Sequence, residues 1–156
     1  FNSIALQFIE YEFLLIGDGE ERNQITAENI KITGWFLEKK QVYEQINALD
    51  IYLQTSLWEG LPIAVLEAMA LMKPVIATKI NGNKDTVIPN ETGFLYQEMS
   101  ELTAYFKTLE DPLTRVKFGT KALYRCKDLF DTNKNFTALE KVYERYFFAA
   151  TKDSQK

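Results

Sequence analysis

One string, WEGLPIAVLEAMALM at residues 58–72, constrains the fold of this chain more than any other. Between Glu59 and Lys73 the only charged residue is Glu67, and apolar residues surround it on every side of any helix drawn through them. A helix apolar all round predicts a buried helix. Pro62 suits the first helical position, where its missing N–H is not needed, and Gly60 permits a sharp turn just before it. The preceding residues Ile51, Tyr52, Leu53, Gln54 and Thr55 read as a strand. The unit is therefore strand, tight loop, buried helix, and in an open α/β sheet ligands bind at that junction, beyond the carboxyl ends of the strands.

Burying an ionised carboxylate without partners costs several kcal/mol, so Glu67 must meet donors or reach a cleft. Two readings are open. Glu67 pairs with a Lys or Arg elsewhere, as buried charges usually do, or it accepts hydrogen bonds from a ligand diol, as acidic residues do with a ribose in dinucleotide sites. In the second reading Glu59, eight residues earlier, faces the other end of the same ligand. Between the two, the first helical turn at Ile63, Ala64 and Val65 offers unpaired backbone N–H groups and a positive dipole end, which suit a phosphate.

The string Glu59-Gly60-Leu61-Pro62-x-x-x-Leu66-Glu67-Ala68-Met69-Ala70, with Lys73-Pro74-Val75-Ile76-Ala77-Thr78 after it, resembles the donor-site signature (Glu-x7-Glu) of the group 1 retaining glycosyltransferases of GT-B fold. Leu14-Leu15-Ile16-Gly17-Asp18-Gly19 and Ile32-Thr33-Gly34-Trp35 resemble that family's second and third strands with their loops, and Asn90-Glu91-Thr92-Gly93-Phe94-Leu95 its "TGfL" segment. The likeness covers about residues 10–150, and four motifs in the same order are more specific than any one of them.

Length and composition agree with one globular domain. The chain has 156 residues, 46% of them apolar and 13% aromatic, enough for a sizeable core. A net charge of -4 gives no nucleic-acid footprint. The single cysteine, Cys126, excludes an internal disulfide framework and suits a reducing compartment, so a cytoplasmic location is expected, or a peripheral one at the inner membrane face for a full-length enzyme. No apolar run approaches the roughly 20 residues of a membrane span. Histidine is absent, so the commonest general base and metal ligand plays no part.

Taken in order, Phe1, Ile4, Ala5 and Phe8 form a helical stripe, and 13–16 is a short apolar run expected as a strand buried on both faces. It ends in Gly17-Asp18-Gly19. A dinucleotide fingerprint would need glycine at position 22, where Arg22 stands. A short polar helix is expected over 20–28, an edge strand over 30–32, a helix marked by Val42, Ile46 and Leu49, a strand over 74–78, a loop at Asn81-Gly82-Asn83 and a last strand over 93–96. Helices follow from Ser100. Val116, Leu123, Cys126 and Phe130 mark one stripe, behind an Asp111 cap and Pro112; Phe136, Leu139, Tyr143 and Tyr146 mark another, read as core or else as a partner-docking face. Residues 151–156 are polar and expected to fray. Strands alternating with helices indicate an α/β fold, a doubly wound, Rossmann-like parallel sheet flanked by helices with a helical carboxyl-terminal tail.

The family resemblance implies that residues 1–150 are the nucleotide-sugar-binding, carboxyl-terminal domain of a retaining glycosyltransferase. Such an enzyme moves a sugar from a nucleoside diphosphate sugar to an acceptor hydroxyl, in polysaccharide or glycolipid assembly. It implies that Glu67 binds the ribose, that the backbone at Ile63 and Ala64 meets the diphosphate, and that Glu59, as the catalytic residue, meets the donor sugar with Gly60, Leu61 and Pro62. Trp35 and Phe36 would hold the base, and Gly17 and Gly19 lie in a loop near the nucleotide. No metal or tightly held cofactor is implied. Near the loop at 81–83 the family carries a glutamate, where Asp85 stands here. The amino-terminal acceptor domain, the first strand and the basic loop after it are expected to be missing, Lys39, Lys40 and Lys84 have no assignable duty at the diphosphate, and the chain alone is expected to be inactive. A catalytically silent nucleotide-sugar-binding module and a sugar-nucleotide epimerase half are the alternatives. In the strand order 3-2-1-4-5-6 the missing strand is central, between 13–16 and 51–55. An empty position would leave backbone groups unpaired, so either those two strands pair directly or another molecule's segment fills the gap and makes a dimer.

Overall fold

The computed structural model describes residues 1–153, with side chains through residue 147. Five short strands alternate with helices: α1 (Asn2–Gln7), β1 (Phe13–Leu15), β2 (Ile30–Ile32), α2 (Lys39–Ala48), β3 (Tyr52–Gln54), α3 (Ile63–Ala70), β4 (Val75–Thr78), α4 (Asn81–Thr86) and β5 (Gly93–Tyr96). Three helices close the chain, α5 (Leu102–Leu109), α6 (Pro112–Leu129) and α7 (Thr132–Asp153). Two 3₁₀ turns, Glu20–Gln24 and Met99–Glu101, complete the connections. All ladders are parallel, as the sequence predicts: β1 pairs with β2, and β3, β4 and β5 pair in that order. The expected helix at 20–28 shrinks to the first of those 3₁₀ turns, and the expected loop at 81–83 begins α4.

Two apolar layers cover the β3–β5 sheet, and the two-residue period of a strand assigns the residues to them. Ile76, Phe94 and Tyr96 face a cluster built from Ile4 and Ala5 of α1, its C-cap Phe8, Leu102, Phe106 and Leu109 of α5, and Phe118. Val75, Ala77 and Leu95 face the opposite cluster with Val65 and Met69 of α3, Val87, Ala122 and Cys126. The α3 helix is less enclosed than its composition predicts. Val65, Ala68 and Met69 are buried, but Ile63 is 55% exposed, because only one side of α3 meets the sheet and α6. Pro62 is the cap residue, one position earlier than expected.

The expected stripe of α6 is rotated. Its buried residues are Phe118, Gly119, Ala122 and Cys126, while Val116 is exposed. Gly119 decides this, since a Cβ there would lie 1.9 Å from the Met72 carbonyl oxygen, so the helix backbone packs directly on that turn. The cap is as expected: Asp111 accepts from the N–H groups of Leu113 (3.2 Å) and Thr114 (3.0 Å). Phe136, Leu139, Tyr143 and Tyr146 of α7 do not enter the core; all four are exposed. That helix runs to Asp153, and the tail expected from 151 onward otherwise lies outside the described residues.

Of the two outcomes expected for 13–16 and 51–55, direct pairing does not occur. Among the described residues β1 and β3 belong to separate sheets with no hydrogen bond between them.

Candidate functional site

The loop between β3 and α3 carries the first carboxylate. Gln54 Nε2 donates to Glu59 Oε1 at 2.9 Å and Ser56 Oγ to the same oxygen at 2.8 Å. Gln54 Nε2 also reaches Ser56 Oγ at 2.7 Å, and the Tyr52 hydroxyl donates to Gln54 Oε1 at 3.2 Å. Side chains of β3 and of Ser56 just after it thus orient Glu59 while its Oε2 makes no hydrogen bond among the described residues. Thr78 Oγ1, at the end of β4, donates to the Ser56 carbonyl at 2.6 Å and fixes the same loop from the other side. Behind it Asn83 Nδ2 donates to the Thr78 carbonyl at 2.9 Å, while Asn83 Oδ1 is a buried acceptor with no partner among the described residues.

The helix that follows starts without a side-chain cap. No acceptor among the described residues takes the N–H groups of Ile63, Ala64 and Val65, so they and the helix dipole face the open end of the sheet. Leu61 and Ile63 are about half exposed beside them, and Pro62 is buried beneath. Gly60 does not have a positive φ, so the turn itself does not demand glycine. The tight fit is at Gly82 of α4, where a Cβ would lie 2.3 Å from the Gly60 carbonyl oxygen.

Glu67 sits one turn further along α3, its side chain 23% exposed. Its Oε1 accepts from the Tyr43 hydroxyl at 3.2 Å and lies 3.3 Å from Lys39 Nζ. The hydrogen bond to Glu67 holds the Lys39 ammonium above its ordinary pKa. Lys39 is the paired cation that the first reading of Glu67 required. The second carboxylate oxygen remains open, so a ligand diol could still approach. Tyr52 registers both acids: burial first, then the charges of Glu67 and Glu59, push its phenol up to about 12. The two carboxylates therefore flank one uncapped helix end, as their spacing predicts.

The base-binding candidates divide. Trp35 is 78% exposed and Phe36 half-buried, in the loop from β2 to α2 whose far end is pinned to α3 through Lys39. Gly17 and Gly34 form a bridge at the carboxyl ends of β1 and β2, both with positive φ, and the Gly17 N–H donates to Thr33 Oγ1 at 3.1 Å. Gly19 is extended and lines, with Thr55 of the β3 end, a cavity of about 490 Å³. Lys40 turns to Glu44, and Asp85 has an exposed side chain while its carbonyl accepts from Arg125 at 2.7 Å. Gln54, Ser56, Tyr43 and Lys39 were not singled out as site residues by the sequence, although Gln54, a polar residue inside an apolar strand, was a signal. Among the described residues no group of three or more His, Cys, Asp or Glu side chains could hold a metal, and no helix is long and apolar enough to cross a membrane.

Comparison with known proteins places this arrangement. The family model described as "Glycosyl transferases group 1" matches residues 1–123. A UDP-Gal:alpha-D-GlcNAc-diphosphoundecaprenol alpha-1,3-galactosyltransferase of Escherichia coli is 33% identical over 106 residues, 62% of this chain and 26% of that protein. The sucrose-phosphate synthase of Thermosynechococcus elongatus superposes with a TM-score of 0.78 at 22% identity, over 95% of this chain and 42% of that one. Anabaena Alr3699/HepE, in complex with UDP and glucose, superposes with a TM-score of 0.74 at 22% identity, over 91% of this chain and 44% of that one. The chain thus spans about a quarter of the curated relative and under half of either structure. Residues 1–123 cover every strand and α1 to α5, so the matched region holds both sheets and the loop from β3 to α3, and the chain belongs to the group 1 glycosyl transferases.

Proposed function

We propose that this chain binds a nucleoside diphosphate sugar at the amino end of α3, as the donor-binding part of a retaining glycosyltransferase that acts on an acceptor hydroxyl in polysaccharide or glycolipid assembly. The observation that carries the reading is the uncapped first turn of α3 flanked by Glu59 and Glu67, each held through one carboxylate oxygen and open at the other. In this reading the backbone N–H groups at Ile63 and Ala64 take the diphosphate, where the helix dipole also stabilises the charge that develops as the sugar leaves. Glu67 accepts from the ribose hydroxyls. Glu59, with the backbone from Gly60 to Pro62, meets the donor sugar, and Trp35 and Phe36 border the base, with the loop at Gly17 and Gly19 nearby. The UDP and glucose held by the Anabaena protein are a precedent of the same chemistry on the same fold.

Calorimetric titration with a panel of nucleoside diphosphates and their sugars tests the proposal. The expected result is saturable binding that Glu67→Ala weakens at unchanged melting temperature, since hydrogen bonds to a charged acceptor contribute roughly 1.5 to 3 kcal/mol. Equal affinity of the two proteins would remove the ribose role; a variant that melts early would make the bonds to Lys39 and Tyr43 structural. The 156 residues on their own are proposed to bind donor without transferring it, because transfer requires both substrates to be positioned. Turnover that rises with purity would show otherwise.

A further inference from the structure

The donors that hold Glu59 come from its own loop and from the strand before it, and the direction of each hydrogen bond follows from the chemistry of its ends. A carboxylate only accepts, so the Gln54 amide turns its Nε2, not its Oε1, toward Glu59. Gln54 Oε1 is then an acceptor on the far side, where the Tyr52 hydroxyl donates to it at 3.2 Å. Burial first, then the charges of Glu67 and Glu59, push the Tyr52 phenol up to about 12, so this donor keeps its proton through the neutral range. One amide N–H goes to Glu59 Oε1 at 2.9 Å, the other to Ser56 Oγ at 2.7 Å, and the Ser56 hydroxyl donates to the same Glu59 oxygen at 2.8 Å. Every donor of this relay ends on Oε1. None is left over for Oε2.

Building on the proposed role of Glu59 at the donor sugar, we infer that Gln54, its amide oriented by Tyr52, is a positioning residue that turns Glu59 Oε2 toward the sugar as a bare acceptor. The group that Oε2 takes is then a donor, a sugar hydroxyl. The loop backbone does not depend on Gln54: Thr78 Oγ1 donates to the Ser56 carbonyl at 2.6 Å, and Gly82 packs against the carbonyls of Gly60 and Glu59. What Gln54 fixes is the Glu59 side chain, which follows the exposed Leu57 and Trp58 and has several free torsions of its own. Glu67 has Lys39 beside it, whereas among the described residues no Lys or Arg pairs with Glu59, so no cation holds this carboxylate in place of the amide. Ser56 alone is a weaker hold, since its hydroxyl rotates freely once Gln54 Nε2 no longer donates to it. The nucleotide end is separate. Gln54 touches neither Glu67 nor the N–H groups at Ile63 and Ala64, so losing its amide removes the contribution of the sugar and spares that of the diphosphate.

The test is a calorimetric titration of wild type, Gln54→Leu and Tyr52→Phe with UDP, GDP and ADP, and with UDP-glucose, UDP-galactose, GDP-mannose and ADP-glucose, each hexose conjugate read against its own diphosphate. Leucine is close to glutamine in volume and cannot donate. Gln54→Leu is expected to weaken the best conjugate about tenfold, the scale of one hydrogen bond to a charged acceptor, with affinity for the matching diphosphate within about twofold of wild type and the melting temperature unchanged. Tyr52→Phe removes one hydroxyl and leaves the amide free to turn, so it is expected to weaken the conjugate about threefold with the same selectivity; it decides the matter if Gln54→Leu melts early. Conjugate and diphosphate weakened equally, or neither weakened, overturns the inference and leaves the nucleotide site standing. So does a wild-type chain that binds a diphosphate but none of its conjugates. A wild-type chain that binds no diphosphate overturns the proposed function and this inference with it.

Discussion

Glu67 illustrates how little a visible ion pair decides. Lys39 is 77% exposed, and an ammonium in water holds a carboxylate only weakly, so neither that pair nor one hydroxyl bond explains why an acid stands in an otherwise apolar helix. Both carboxylates were legible in the sequence because each interrupts an apolar run. Their supports were not, because Lys39 and Tyr43 come from 28 and 24 residues away, a distance that only the packing of α2 on α3 closes. A second residue-scale expectation concerns the loop that carries Glu59. A Cβ at Gly82 would meet two backbone oxygens, Gly60 at 2.3 Å and Glu59 at 3.0 Å, whereas one at Gly60 meets nothing within 4 Å. Gly82→Ala must displace either α4 or the loop, and overpacking of this kind costs typically 1–3 kcal/mol. Urea unfolding should show that loss together with weaker nucleoside diphosphate binding, while Gly60→Ala stays close to wild type in stability. The reverse order would mean that the loop, not α4, sets the fit.

Among the elements, periodicity identified where helices run but not which face turns inward. In α6 the large apolar residues suggested a face through Val116 and Leu123, and the structure instead buries the side holding Gly119 and Ala122. Small residues chose the face, because they let the helix axis approach Met72 closely enough for Phe118 to reach Phe94, ring centroids 5.5 Å apart. In α7 the aromatic stripe is equally regular and finds no core to enter. A stripe reports amphipathicity, and only the surrounding elements decide whether it is covered. The strands were easier to read: all five lie within a residue of their expected positions, since short apolar runs between turn residues leave few alternatives. Gly119→Ala separates helix propensity from packing. Alanine is the better helix former by about 1 kcal/mol, yet its Cβ would lie 1.9 Å from a backbone oxygen. Packing should win, with a net loss of roughly 1–2 kcal/mol in denaturant unfolding; a gain in stability would show that α6 can lift off Met72 without cost.

At the scale of the whole molecule, the sheet is in two pieces, and among the described residues no backbone ladder joins them. Side chains must therefore couple the β1–β2 ribbon to the β3–β5 sheet. The joint is aromatic: the ring of Phe106 on α5 lies 4.9 Å from that of Phe8, 5.1 Å from Tyr11 and 6.3 Å from Phe13, all on the ribbon side, and belongs to the same cluster as Ile76 and Phe94 of the larger sheet. The polar crossings are peripheral by comparison. Asn29 donates to the carbonyls of Ala5, Phe8 and Tyr11 within the ribbon side itself, and the Tyr11 hydroxyl reaches Glu110 in an exposed position. Phe106 is 4% exposed, and removing a buried phenyl group typically costs 3–5 kcal/mol. Phe106→Ala should do more than lower the melting temperature. The ribbon has only three residues in each of its two strands, so it is the part that opens first once the joint is weakened. Amide exchange of β1 and β2 in Phe106→Ala should accelerate well beyond that of β4 and β5, relative to the same amides in the wild-type chain. Uniform acceleration across all five strands would show that the ribbon and the larger sheet are held as one cooperative unit by contacts other than this ring.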